Sequence, residues 1–471
     1  MFVAIADALV AAIKAGRLSA GSRLPGTRSL AATLGVHRNT VVAAYAELTA
    51  QGWVYGSHAR GTFVTTAPIL ADAAPAGTTS AARARFRVAD DDAVRTAARP
   101  LETDGSTPQS REHPALILSG GIPDLRHVPR AALARAYRRA LLSRKEVLDY
   151  GDARGVLRLR EALAAMLRAT RGMPCSSEDV IVTRGSQQGL ALAARVLVRP
   201  GDTIAVEELG YPPAWQIFRR EGATLLPIPV DKSGVDVDAL ADTLKRRRVR
   251  AVYLTPHHQY PTLATLSGPR RRQLLALCQR HGVAIVEDDY DHEFHYASRP
   301  VLPLAAADPG QVIYIGTLSK IVAPGIRLGY IVAPRDVLRT MAAERMLLDR
   351  QGDAAVETAV AELFEDGEIQ RHARRMRRLY VARRDALVRL LRTRFAEAVE
   401  FDVPDGGMSL WVQLRGRRSA ERIAAHAARQ GIWVGPGRYF SLAGHALPYL
   451  RIGYAGWSER AVAHAVKSLG L

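Results

Sequence analysis

Apolar residues recur at helical spacing from Ala4 to Ala15 and stop at Gly16, which predicts a first helix. In RLPGTRSLAATLG, Thr27 stands where an N-cap would begin a second helix and Gly35 where a turn would end it. A third helix, VHRNTVVAAYAELTAQG, follows at once and stops at Gly52, with Val41, Val42, Tyr45 and Leu48 as its apolar face. WVYGSHARGTFV then alternates apolar and polar residues around Gly56 and Gly61, as a two-stranded wing would. Residues 67–114 sustain no period and are rich in Ala, Thr, Pro, Arg and Asp, so they read as a linker. A flexible coil of that length spans roughly 40 Å. From about Pro114, helical stretches alternate with the short apolar runs DVIVT, DTIAVE, AVYLTP, VAIVEDD, VIYIGT and RLGYIVA. Such alternation predicts an α/β domain with a mainly parallel sheet covered on both faces. Beyond about residue 335 the pattern turns helical and then mixed, as a smaller α+β portion would. The expected division is therefore 1–66, a linker over 67–114, and 115–471.

Two helices joined by a tight glycine turn, the second opening on polar residues, form a helix-turn-helix arrangement. A small helical bundle with an added hairpin would share its periodicity. Polar chemistry separates the two. His37, Arg38, Asn39 and Thr40 are consecutive at the start of the third helix, Arg28 lies near the start of the second, and His58 and Arg60 stand at the tip of the wing. Phosphate contacts would position such a module, and residues 38–40 would reach base edges.

Composition narrows the class further. With 48% hydrophobic and 24% charged residues, the chain is globular, which excludes a wholly disordered or fibrous protein. Its two cysteines cannot build a disulfide framework, so a reducing compartment is expected. The sequence has no apolar run of about 18 residues and no basic stretch ahead of its first apolar segment. A soluble cytoplasmic protein is the expectation. The net charge of +19 suits nucleic acid, yet only +4 of it falls in residues 1–66, against +16 beyond residue 114. Patches such as KRRRVR (245–250) therefore read as solvated helix faces. Only six of the 65 basic residues are lysines, so a lysine in a motif is informative, because Lys gives up its proton and Arg does not.

Lys320 is one of the six. It lies in VIYIGTLSKIVAPGIRLGY, just past a strand end, among hydroxyls and seven residues before Arg327. A surface lysine in a loop would look the same in isolation. VAIVEDDYDHEF, however, ends a buried strand in carboxylates and puts Asp288 and Tyr290 where α/β folds build sites. TRGSQQGL sets Gly185, Ser186 and Gln187 between a strand and a helix, an arrangement suited to phosphate. TPHHQYPT adds His258 and Gln259 at another strand end, and ELGYPP adds Tyr211 at a fourth. These polar groups converge on one edge of one sheet.

Residues 1–66 resemble the GntR-type winged-helix domain, and the later segments resemble the fold-type I aminotransferases that bind pyridoxal 5′-phosphate (PLP). Joined, they resemble the MocR-type transcriptional regulators. The resemblance implies that Lys320 holds PLP as a Schiff base, that Asp288 pairs with the pyridinium nitrogen, and that Tyr290 bonds the phenolic oxygen with His258 and Gln259 nearby. It assigns Ser186, Gln187, Thr317, Ser319 and Arg327 to the phosphate, Tyr211 to the ring face and Arg451 to an effector carboxylate. Tyr150 would reach the partner's phosphate in a homodimer. Leu318 stands where the family has Phe, Leu263 where it has Gly, Leu209 where Pro is usual, and Pro213 where some amino-acid-sensing members carry Arg. Three functions follow from these readings. The leading one is a regulator that binds operator DNA and senses PLP or an amino compound. The others are an aminotransferase with an accessory DNA-binding head and a DNA-binding protein with an empty pocket.

Overall fold

The computed structural model describes residues 1–57, 60–65, 116–118, 120–143, 145–296 and 301–471. They belong to two compact units, Met1–Asp90 and Asp91–Leu471. The stretch read as a linker lies outside the described residues apart from its neighbours.

In the first unit, helices α1 (Phe2–Lys14), α2 (Thr27–Leu34) and α3 (Arg38–Ala50) precede an antiparallel ribbon of β1 (Val54–Ser57) and β2 (Gly61–Val64). Gly35 ends α2 in the left-handed conformation at φ +63°, which glycine adopts without a Cβ penalty. The expected cap is displaced by one residue. Gly26 is the N-cap, while Thr27 is already helical and its hydroxyl accepts from Arg38 Nε at 3.4 Å. Val42 also departs from the expected apolar face, being 44% exposed. The buried stripe of α3 runs through Val41, Ala44, Tyr45 and Leu48, the i, i+3, i+4, i+7 positions, and Val42 falls one residue off it. This stripe joins Ala6, Leu24, Ala31, Trp53, Val54 and Val64 in a single small core.

The second unit is built on seven strands: β3 (Val180–Thr183), β4 (Thr203–Glu207), β5 (Thr224–Ile228), β6 (Ala251–Leu254), β7 (Ala284–Asp289), β8 (Val312–Thr317) and β9 (Gly329–Val332). Their order across the sheet is β3-β9-β8-β7-β6-β4-β5, and β9 alone runs antiparallel to its neighbours. Alternate residues feed cores on opposite faces. Val180, Val182, Val252 and Ile285 enter one, and Ile181, Ala251, Tyr253 and Val286 enter the other. Burial on both faces is why these strands read as unbroken apolar runs rather than alternating ones. The α/β expectation and all six expected strands stand.

A smaller sheet of β10 (Val399–Glu400), β11 (Ser409–Leu414), β12 (Gly435–Pro436) and β13 (Tyr449–Gly453) has the order β10-β11-β13-β12. The long helix Glu368–Arg394 and the last helix Glu459–Lys467 bury Tyr380, Leu387, Leu391, Val462 and Val466 in the same core as this sheet. A parallel bridge joins Leu116–Ile117, the first described residues of this unit, to Ile432–Trp433.

Close approach of backbone to backbone joins sheet and site at Gly329. A Cβ there would lie 2.7 Å from Gly185 C and 2.9 Å from Ser186 N, atoms that cannot turn aside. Gly329→Ala is therefore expected to cost about 1–3 kcal/mol as an overpacked site. Thermal unfolding of the purified chain checks it, and an unchanged melting temperature would count against the close approach.

Candidate functional site

Because β9 reverses twice in the ladder, β3 and β8 run the same way, and the carboxyl ends of β3, β4, β6, β7 and β8 share one edge. A cavity of about 500 Å³ opens there. Ser186, Gln187, Tyr211, Asp288, Tyr290, Thr317, Ser319, Lys320, Arg327 and Arg451 all line it. Ten residues singled out in the sequence thus meet in one space.

Each is set by its local fold. Ser186 and Gln187 begin the helix Gly185–Leu197, whose first N–H groups have no helical partner and favour an anion. Arg327 takes the left-handed conformation at φ +55° and donates from Nη2 to Arg184 O at 3.1 Å. Its guanidinium crosses over Gly185, where a Cβ would come within 3.0 Å. Thr317 Oγ1 accepts from Ser319 N at 3.1 Å, which fixes the turn ahead of Lys320. Gln187 Nε2 donates to Tyr211 Oη at 2.8 Å.

The charged groups are under strong electrostatic pressure. Asp288 is 4% exposed and accepts from Tyr253 Oη at 2.9 Å on one oxygen, while its Oδ1 has no hydrogen-bond partner. Burial pushes its carboxyl up to about 7, against the pull of Lys320. Burial pushes the Lys320 amine down to about 8, and Arg451 adds to the shift. Tyr290 Oη is buried without a partner, and burial holds its phenol well above the ordinary range. Arg451, on β13 between β11 and β12, has its guanidinium carbon 4.1 Å from the centre of the Tyr260 ring.

Three expected residues lie elsewhere. His258 and Gln259 do not line the cavity. His258 Nδ1 meets Asp291 Oδ1 at 2.6 Å in the interior. The Gln259 amide closes its own loop, donating to Leu209 O and Tyr260 O at 2.7 Å each and accepting from Thr262. Residues at a strand end face the site only in alternation, and Thr255 and Tyr260 hold the inward positions instead. Tyr150 is 74% exposed, outside the cavity, with the Arg350 guanidinium 4.1 Å over its ring. Leu263 keeps the glycine geometry expected at its position, at φ +66° with its side chain buried. An α-left residue with a Cβ costs roughly 1–2 kcal/mol.

Other lining residues stand outside the motifs of the sequence. Gly120 and Gly121 line the cavity at φ +85° and +71°, and a Cβ on Gly121 would lie 3.6 Å from Lys320 Nζ. The double glycine in LSGGIPD was their signal. Trp433, Tyr439 and Phe440 form an aromatic wall from the smaller portion.

In the head, Arg28, Arg38 and Asn39 are exposed and Thr40 is half-buried at the start of α3. His37 caps that helix, its Nδ1 accepting from Asn39 N at 3.3 Å. Arg60 is exposed beside the wing turn, and His58 lies outside the described residues.

Residues 3–64 match the family of bacterial regulatory proteins of gntR type, and residues 115–469 match aminotransferase class I and II. The probable rhizopine catabolism regulatory protein MocR of Rhizobium meliloti is 34% identical over 98% of this chain and 92% of its own length. The chain belongs to the MocR-type regulators. Another relative of this kind, the pyridoxine biosynthesis transcriptional regulator PdxR of Corynebacterium glutamicum, is 33% identical over 78% of this chain and 74% of that protein. Among solved structures, the α-aminoadipate aminotransferase LysN of Thermus thermophilus, complexed with N-(5′-phosphopyridoxyl)-L-leucine, is 29% identical with a TM-score of 0.71. That likeness covers 79% of this chain and 95% of LysN. The MocR-type chain thus carries a DNA-binding head of gntR type on an aminotransferase-type fold.

Proposed function

We propose that this MocR-type protein is a PLP-dependent, DNA-binding transcriptional regulator whose larger unit senses PLP, an amino compound, or both. The observation that carries the reading is a half-buried lysine and a buried, half-satisfied carboxylate in one cavity, on a chain that also bears a winged helix-turn-helix. The residues fit PLP. Asp288 Oδ1 lacks a hydrogen-bond partner, as a carboxylate awaiting a pyridinium nitrogen would. Tyr290 Oη likewise has a hydrogen bond to give. The Gly185–Leu197 helix start, with Ser186, Thr317, Ser319 and Arg327, offers donors to a phosphate.

When bound, PLP supplies an aldehyde that captures amines and a ring that draws electrons from the captured group. The chain supplies the rest. Lys320 brings an amine that loses its proton near neutral pH. Asp288 would hold a proton at the ring nitrogen, and Tyr290 would donate to the phenolic oxygen. Gln187 steadies the Tyr211 hydroxyl at the cavity wall, where Tyr211 would face the ring. Arg451 binds a carboxylate with a fork that Lys would not reproduce. A ligand shifts DNA affinity only as far as it binds two arrangements of the protein unequally.

We take the working form to be a cytoplasmic homodimer in which Tyr150 reaches the partner's cofactor phosphate. The surface position of Tyr150 supports this. Among the described residues no helix is long and apolar enough to cross a membrane, and Cys175 and Cys278 are free and buried. Titrating operator affinity with PLP and a panel of amino acids and amines, at stated salt, tests the reading. Operator affinity indifferent to all of them would overturn it. The complete set of Lys320, Asp288, Tyr290 and Arg451 also favours residual transamination. Steady keto-acid release at roughly 1 per second or faster would make the protein an enzyme first.

The head yields its own prediction. Arg38→Ala should weaken operator binding by about 1–3 kcal/mol if Arg38 reads a base, with less loss on random DNA. Equal affinity of variant and wild type for both DNAs in a gel-shift titration would remove Arg38 from the interface.

A further inference from the structure

Behind the cavity wall, His257 and His258 meet His292 and His295 in the interior. All four are buried, and His257 is only 3% exposed. One ring nitrogen from each of His257, His258 and His295 can be chosen so that the three atoms lie within 4.8 Å of one another. Neither ring nitrogen of His257 has a hydrogen-bond partner, and neither does His258 Nε2. Leaving such a group unsatisfied in the interior is unfavourable unless a ligand completes it. His258 Nδ1, by contrast, is held by the Asp291 carboxylate at 2.6 Å. A carboxylate on one ring nitrogen is how proteins aim the other at a metal.

We propose that His257, His258 and His295 bind one zinc ion. Imidazole nitrogens suit zinc at bond lengths of about 2.0–2.1 Å, which sets ligand atoms about 3.4 Å apart around a tetrahedral ion. Binding would draw the three nitrogens, already within 4.8 Å of one another, in to that spacing. Asp291 on His258 and Asp289, which meets His292 Nδ1 at 2.7 Å, supply nearby negative charge to balance a dication. His257 and His258 come from the loop after β6, and His295 from the segment after β7. The ion therefore ties together two stretches that carry Thr255, Tyr260, Asp288 and Tyr290 to the cavity wall. Its role is that of a clamp, acquired as the chain folds.

The test uses tag-free full-length protein produced in zinc- or cobalt-supplemented medium. Metal analysis should find about one ion per chain, and the cobalt form should show visible absorption from nitrogen coordination. His257→Gln and His295→Gln should each lose most of that metal while still binding PLP. X-ray absorption at the zinc edge of the wild-type protein needs no variant and should count three imidazoles. Wild-type protein without stoichiometric metal, a zinc shell with fewer than three imidazoles, or variants that keep their full metal content would each overturn the proposal.

Discussion

Replacing Lys320 by Ala is expected to abolish the visible absorption that PLP acquires when it joins a protein lysine. Lys320 borders the cavity beside Asp288, Tyr290 and Arg327, and no other lysine lines it. Lys232 and Lys245 are exposed and paired with Asp402 and Asp242, and Lys14 lies over Trp53 in the head. None of these can substitute. A band that survives Lys320→Ala would show that another amine holds the cofactor. The pH dependence of capture offers a second readout. Only the neutral amine attacks an aldehyde, so the rate at which cofactor-free protein takes up PLP should rise with pH through about 8 and then level off. An amine at the ordinary value of 10.5 would keep accelerating well beyond that. At neutral pH the shift leaves about 300-fold more neutral amine than an unperturbed lysine would have. An inflection near the ordinary value would mean that Lys320 is not desolvated in solution.

Much of this site was legible because an α/β sheet delivers its polar residues to one edge. Every apolar run but RLGYIVA ends in or beside a hydroxyl or an acid, so Ser186, Asp288, Thr317 and Lys320 read as neighbours from the sequence alone. Within EDD, the three acids separate by the side of the strand they occupy. Glu287 accepts from the backbone of Leu304 and Ala305, Asp289 binds His292 and Tyr314, and only Asp288 lines the cavity. Where a strand runs into an irregular loop, the alternation fails, and with it the assignment of His258 and Gln259. Tyr260, a few residues on, takes the place under Arg451 instead. The aromatic wall of Trp433, Tyr439 and Phe440 was beyond reach for a different reason. It arrives from a separate layer, through pairings such as Ile432–Trp433 with Leu116–Ile117 that no local pattern encodes. Leu263 marks the limit of arguing from residue type alone. A leucine stands there where the family has glycine, yet the backbone keeps the left-handed shape while the leucine side chain is buried. Burying a Leu side chain returns roughly 1.5–3 kcal/mol, enough to offset that strain.

Arg451→Gln should silence the response to amino acids while leaving PLP attached. Arg451 is 1% exposed, stacked on Tyr260 and buttressed by the strands on either side of β13. A guanidinium fixed in this way is planar, permanently charged and shaped for two parallel bonds to a carboxylate. Glutamine keeps much of the length and loses the charge. Removing one partner from a buried charge pair costs about 2–5 kcal/mol, so the amino-acid concentration that shifts the cofactor spectrum should rise by roughly 1.5 to 3.5 orders of magnitude. Arg451→Lys should fall between the two, since the charge remains without the fork. Amines without a carboxylate discriminate further. They should act on wild type and Arg451→Gln alike, because Lys320 chemistry does not pass through Arg451. If the variant answers amino acids at the wild-type concentration, the carboxylate is held elsewhere. If it loses PLP as well, Arg451 serves the cofactor's place in the cavity rather than the effector.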